Sequence, residues 1–189
     1  MAEVNRGRVL RAATRSFLAH GYRSSVDHIA RRAGVAKQTV YHHFPSKDEL
    51  FKEVARELAK RVLVELESGP QDLRGGLLRF ARAYRKRVLG AQGLAMFRTV
   101  VPEVRRFPAP PAYIARGAGT LVERLAAYLA RGMDAAELRR DDPELAAELF
   151  LGMLVGQDRL KRLFGVSCVE KEARRAARIV DCFLRAYQP

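Results

Sequence analysis

Residues 24–50 read SSVDHIARRAGVAKQTVYHHFPSKDEL. Val26, Ile29, Ala30 and Ala33 recur at helical spacing, which predicts a short helix with one apolar face. Gly34 follows, and glycine closes a helix at positive φ without steric cost. Lys37 to His43 predicts a second short helix anchored by Val40 and ended by Pro45, which cannot extend a hydrogen-bond ladder. A small residue at Ala30, a turn residue four later and an aliphatic plug at Val40 is the spacing a helix-turn-helix needs. The second helix then exposes Lys37, Gln38, Thr39, Tyr41, His42 and His43. That set is rich in donors and has no acid, which suits phosphates and base edges. A helical hairpin with a solvated polar face is the competing reading.

Within the longer string stand Gly21-Tyr22, Ser24-Ser25, Ile29-Ala30, Ala33-Gly34-Val35, Thr39-Val40-Tyr41, His43-Phe44 and Ser46-Lys47. Together they resemble the TetR family of bacterial transcriptional regulators, over roughly residues 6–55. The resemblance implies an all-helical homodimer with a three-helix DNA-binding domain and a larger helical domain that binds a small effector. It implies that Thr39, Tyr41 and His43 face DNA, that Ser25 touches a phosphate, and that Lys47 holds another. Two positions depart from the common family pattern: Ala36 replaces a frequent cap-forming Ser or Thr, and Gln38 a frequent Gly. Gln can pair with the N6 and N7 of adenine, so Lys37 and Gln38 are the expected base readers, with Tyr41 next.

The net charge is +14, a balance that favours polyanions. The excess is spread along the chain, since residues 1–50 hold nine Lys/Arg against four Asp/Glu. Charge alone therefore supports DNA binding only weakly. No apolar core precedes a cleavage site at the N-terminus, and the longest uncharged stretch, 88–97, is too short to span a bilayer. A cytoplasmic protein is expected, with no membrane partner. Cys168 and Cys182 then read as packing residues, not a disulfide. Neighbouring His42 and His43 diverge by about 100° on a helix, so no metal site and no cofactor are expected. No histidine lies beyond His43, and the acids and cysteines form no catalytic pattern, so an enzyme is not expected.

Outward from the motif, an all-α fold of about nine helices is predicted. Residues 3–20 form the first helix, with Val9, Leu10, Ala13, Phe17 and Leu18 inward, and Arg6 or Arg8 able to reach DNA. Ser24 with Asp27, and Ser46 with Glu49, fit capping boxes, and Asp141 or Asp142 is the expected cap of a helix with Pro143 in its first turn. A long helix over 47–67 links the helix-turn-helix domain, 1–50, to an effector-binding and dimerisation domain, 51–189. Further helices are expected at 72–89, 94–104, 112–131, 143–164 and 169–187, with a turn at 90–93 and a stiff loop at 107–111. Phe80, Tyr84, Met96, Phe97, Phe107, Tyr113, Met153 and Gln157 are candidates for one effector pocket. The alternative for these aromatics is plain core. Gly152 and Gly156, four apart in a helix, point to a close helix crossing. Leu149, Gly152, Gly156, Leu160, Ala173, Ala176, Val180, Phe183 and Leu184 are the expected dimer face, forming a four-helix bundle with a second copy. The expected partners are a palindromic operator in double-stranded DNA, a second copy of the chain and a small hydrophobic or anionic effector that releases the repressor; the alternative is a constitutive DNA-binding protein without an effector.

Overall fold

A computed structural model describes residues 2–67, 72–101, 109–166 and 170–189. Among these residues there are nine α-helices, one short 3-10 turn and no strand. In chain order they are α1 (Ala2–His20), the 3-10 turn (Gly21–Arg23), α2 (Val26–Ala33), α3 (Lys37–His43), α4 (Lys47–Glu67), α5 (Leu73–Leu89), α6 (Ala91–Val100), α7 (Ala109–Asp134), α8 (Pro143–Leu163) and α9 (Glu172–Ala186). Contacts divide the chain into two compact units, Met1–Leu58 with Ala91–Gly117, and Ala59–Gly90 with Ala118–Pro189.

The first unit is built on the apolar faces of its short helices. Val9, Ala12, Ala13 and Phe17 of α1 meet Ile29, Ala30 and Ala33 of α2, Val40 of α3, and Leu50, Phe51 and Val54 of α4, all buried. Phe51 stands edge-on to Phe17 at 5.1 Å and to Tyr22 at 5.4 Å. Such edge contacts suit the ring quadrupoles, and each buried large side chain contributes about 1.5–3 kcal/mol. The sealed core makes the short α2 and α3 stable, which alone would be too brief to persist in water.

The second unit carries a file of five rings. Tyr84 stacks on Phe80, Phe80 on Phe150, Phe150 lies against Phe183, and Phe183 stacks on Tyr187, with centroids 4.6–6.4 Å apart. Beside this file lies a buried charge network. Arg85, 1% exposed, donates to the carboxylates of Asp158 and Glu172 and to the carbonyl of Leu154. Arg175 reaches Asp158 at 3.2 Å, and Arg162 reaches Glu172 at 2.6 Å and the Leu89 carbonyl at 3.2 Å. A charge leaves water only where partners replace its hydration, so this network fixes the register of α5, α8 and α9.

Several boundaries differ from the expectation. The 90–93 stretch is not all turn, because α6 already begins at Ala91. Helix α7 begins at Ala109, so Pro110 and Pro111 sit in its first turn, where a missing N–H costs nothing. Helix α8 has the expected cap, with Asp142 accepting from the N–H groups of Glu144 and Leu145. It is kinked at Gly156, whose backbone leaves helical geometry. Among the described residues, no atom from outside α8 lies within 4 Å of where a Cβ would stand on Gly152 or Gly156, so the expected close crossing is not made by them. A true close approach occurs elsewhere: a Cβ on Gly76 of α5 would collide with the Tyr128 hydroxyl of α7.

Candidate nucleic-acid interface

The interface begins at the turn between α2 and α3. Gly34 adopts φ 64° and ψ 41°, and its N–H bonds back to Ala30 and Arg31. A side chain there would meet the left-handed penalty that glycine escapes. Gly34 therefore sets the angle at which α3 leaves α2. Val40, 1% exposed, plugs α3 into the core, so the rest of this seven-residue helix faces outward.

Of the expected DNA contacts, Lys37, Gln38, Tyr41 and His42 are exposed, while Thr39 and His43 are half-buried on the same helix. Lys37 is not free: its ammonium donates to Asp27 at 3.0 Å, and that bond and charge raise its pKa. Asp27 is the acid that the reading of α3 alone missed. It lies ten residues upstream and is brought over by the helix crossing. Ala36 caps α3 with no side-chain bond, as expected. His42 and His43 stack edge-on at 5.3 Å, and no group of three metal-ligating side chains occurs among the described residues.

Flanking α3 are two helix starts. Ser25, not Ser24, caps α2, its Oγ accepting from the His28 N–H at 3.1 Å. Ser24 is instead buried, and its hydroxyl finds no partner among the described residues. Ser46 caps α4 by accepting from the Glu49 N–H at 3.1 Å, but the Glu49 carboxylate takes Lys52 at 2.6 Å. Lys47 lies over the Tyr22 ring at 4.4 Å, and burial lowers its pKa. Tyr22 in turn donates to Asp48, so a half-buried aromatic platform holds the lysine at the start of α4. Arg6 and Arg8, offered above as DNA arms, make internal contacts: Arg6 pairs with Glu53 at 3.0 Å and Arg8 donates to the Gly34 carbonyl at 3.4 Å.

The candidate effector residues are divided between the two units. Phe80 is fully buried and Tyr84 half-buried in the aromatic file, whereas Met96 packs on the core of the first unit. Phe97 is half-buried on α6, and Met153 and Gln157 are exposed on α8. Phe107 and the side chain of Tyr113 lie outside the described residues. The candidate dimer face splits more cleanly. Leu149, Gly152, Gly156, Leu160 and Ala173 are exposed, and Leu184 is half-buried. Ala176, Val180 and Phe183 must be withdrawn from that face, because they are the inward stripe of α9 and pack in the core. Cys182 is a free, exposed thiol, and Cys168 lies outside the described residues. No helix among the described residues is long and apolar enough to cross a membrane.

Comparison with known proteins matches residues 9–54 to the family "Bacterial regulatory proteins, tetR family" and residues 75–189 to "AefR-like transcriptional repressor, C-terminal domain". The HTH-type transcriptional repressor AcnR of Corynebacterium efficiens is 28% identical over 149 residues, covering 78% of this chain and 76% of its own. Among solved structures, a chain from Mesorhizobium loti assigned to the TetR-family regulators superposes with a TM-score of 0.79 at 26% identity, over 100% of this chain and 99% of that one. The flavonoid-responsive regulator FrrA superposes with a TM-score of 0.72 at 29% identity, over 98% and 97%. With a helix-turn-helix at its head and an AefR-like repressor domain behind it, the chain belongs to the TetR family of DNA-binding transcriptional regulators.

Proposed function

We propose that the protein is a homodimeric repressor that reads a palindromic operator with two copies of α3 and leaves it when a small effector binds. The donor-rich outer face of α3, held on a sealed three-helix core, carries this reading. Two such helices enter successive major grooves about 34–36 Å apart. Lys37 and Gln38 read bases, with Lys37 exchanging Asp27 for DNA. Thr39, Tyr41, His42 and His43 line the groove, and Ser25 and Lys47 hold phosphates on either side. Phosphate contacts supply affinity and base contacts supply choice.

Dimerisation falls to the outward stripe of α8. Leu145, Leu149, Met153 and Leu160 are 38–49% exposed there, around two glycines that no described residue of another helix covers. A second copy of α8 would supply the missing crossing. The effector is a small hydrophobic or anionic molecule; among the similar structures, FrrA is a flavonoid-responsive regulator. Tyr84 and Gln157 are the polar groups assigned to its site. Selection of bound sequences from random duplex DNA tests the reading. It should yield a palindrome, and recovery of sequences with no common element would overturn it.

A further inference from the structure

Helices α1 and α2 form a cleft of about 270 Å³ in the first unit, and its wall is almost wholly guanidinium. Arg8, Arg11 and Arg15 come from one stripe of α1, and Arg31 and Arg32 from the last turn of α2, with Ala33 and Gly34 as the floor. All five arginines are exposed. Only Arg8 has a bond described, to the Gly34 carbonyl at 3.4 Å. Four acids of the unit are engaged elsewhere: Asp27 with Lys37, Asp48 with Tyr22, Glu49 with Lys52, and Glu53 with Arg6 and Arg56. Among the described residues, no carboxylate pairs with Arg11, Arg15, Arg31 or Arg32. Elsewhere in the chain buried and half-buried arginines are matched with acids, as Arg85 and Arg175 are. Five like charges around one hollow repel one another and call for an anion.

The shape says which anion. The cleft is open, and Arg8 to Arg15 spans about 10 Å of helix. One strand of duplex DNA presents a phosphate every 3.4 Å or so of its axis, hence about three over that length. Guanidinium forks match phosphate oxygens two bonds at a time. The floor at Gly34 is also the turn that launches α3, only three residues before Lys37. We propose that this arginine cleft is a second DNA-backbone site, gripping phosphates that flank the base pairs met by α3. It rests on the DNA-binding reading of α3 and extends the footprint beyond the recognition helix.

The test uses the full-length chain with Arg11→Gln, Arg15→Gln and Arg31→Gln combined; Gln keeps helix propensity, and the positions are exposed, so folding is checked by circular dichroism. Binding is measured across a salt series on two duplexes, the selected operator trimmed to its half-sites and the same operator with about one helical turn of mixed sequence on each side. The unsubstituted protein should bind the flanked duplex more tightly, with a steeper salt slope. The triple variant should lose that gain, its slope falling by about 0.9 for each phosphate contact removed. A variant that keeps both the gain and the slope overturns the proposal. So does one that keeps them while losing affinity for inorganic tripolyphosphate, which would give the cleft to a free polyphosphate. Failure of the underlying DNA reading looks different: the unsubstituted protein would not prefer the operator to a scrambled duplex.

Discussion

The proposed reading gives Lys47 a phosphate and Gln38 a base, a division of labour that single substitutions can separate. Lys47 is braced by the Tyr22 ring, and burial lowers its pKa. Lys47→Ala should weaken binding to every duplex alike and flatten the salt slope by about 0.9 per subunit contact. Gln38→Ala should leave that slope unchanged and relax preference at one base position, by about 1–3 kcal/mol. Equal losses on operator and random DNA for both variants would reverse the assignment. Asp158 tests the other unit. Its burial pushes its pKa up, but the Arg85 hydrogen bond and the Arg175 and Arg85 charges outweigh this and hold it below 3.8. A carboxylate with a depressed folded pKa stabilises the fold fully above its unfolded value and loses that contribution as pH falls through the folded one. Acid unfolding should therefore set in below about pH 4, and Asp158→Asn should flatten that limb. Arg85→Met should cost about 3 kcal/mol in urea unfolding at neutral pH, because it breaks a buried pair and leaves Asp158 with Arg175 alone and Glu172 with Arg162 alone. Single residues were legible where the partner is the local backbone, as at Ser46 and Asp142. They were not where the partner comes from another helix: nothing near Lys37 in sequence announces Asp27, and nothing near Arg85 announces Asp158.

At the scale of elements, the α2–α3 corner was readable because its demands are local. A positive φ needs glycine, a crossing needs a small residue, and a plug needs a branched aliphatic; Gly34, Ala30 and Val40 meet them. Gly34→Ala should thus destabilise the protein by about 1–2 kcal/mol and also displace the Arg8 guanidinium that sits where the new methyl would go. Ala36→Ser should act the other way, adding the side-chain cap that α3 lacks and raising stability by about 1 kcal/mol in the same unfolding measurement. Helix α8 was less readable. Its period runs unbroken through Gly156, and only the backbone angles reveal the kink. The start of α7 was hidden for a similar reason, since prolines that look like a loop are tolerated in a first helical turn.

For the whole molecule, composition suggested a polyanion partner but not where it binds, because the arginines of the cleft meet only once α1 crosses α2. Apolar periodicity likewise marked α8 and α9 as two-faced without saying which face is inward. Burial answers this for α9, where Ala176, Val180 and Phe183 close the core. On α8 it leaves Leu149, 49% exposed, at the centre of an apolar stripe that the described residues do not cover. In a twofold dimer the same patch meets itself, so one substitution acts twice. Leu149→Glu would set two carboxylates against each other in an apolar contact while disturbing nothing inside the subunit. Its helix content should match that of the unsubstituted chain, yet sedimentation should shift from a two-chain to a one-chain mass. Binding to the full palindrome should fall to the level of a single half-site, while a lone half-site should be bound as before. A two-chain mass retained by the variant would move the interface off α8, and weakened half-site binding would mean that the substitution had reached the DNA-binding unit by another route.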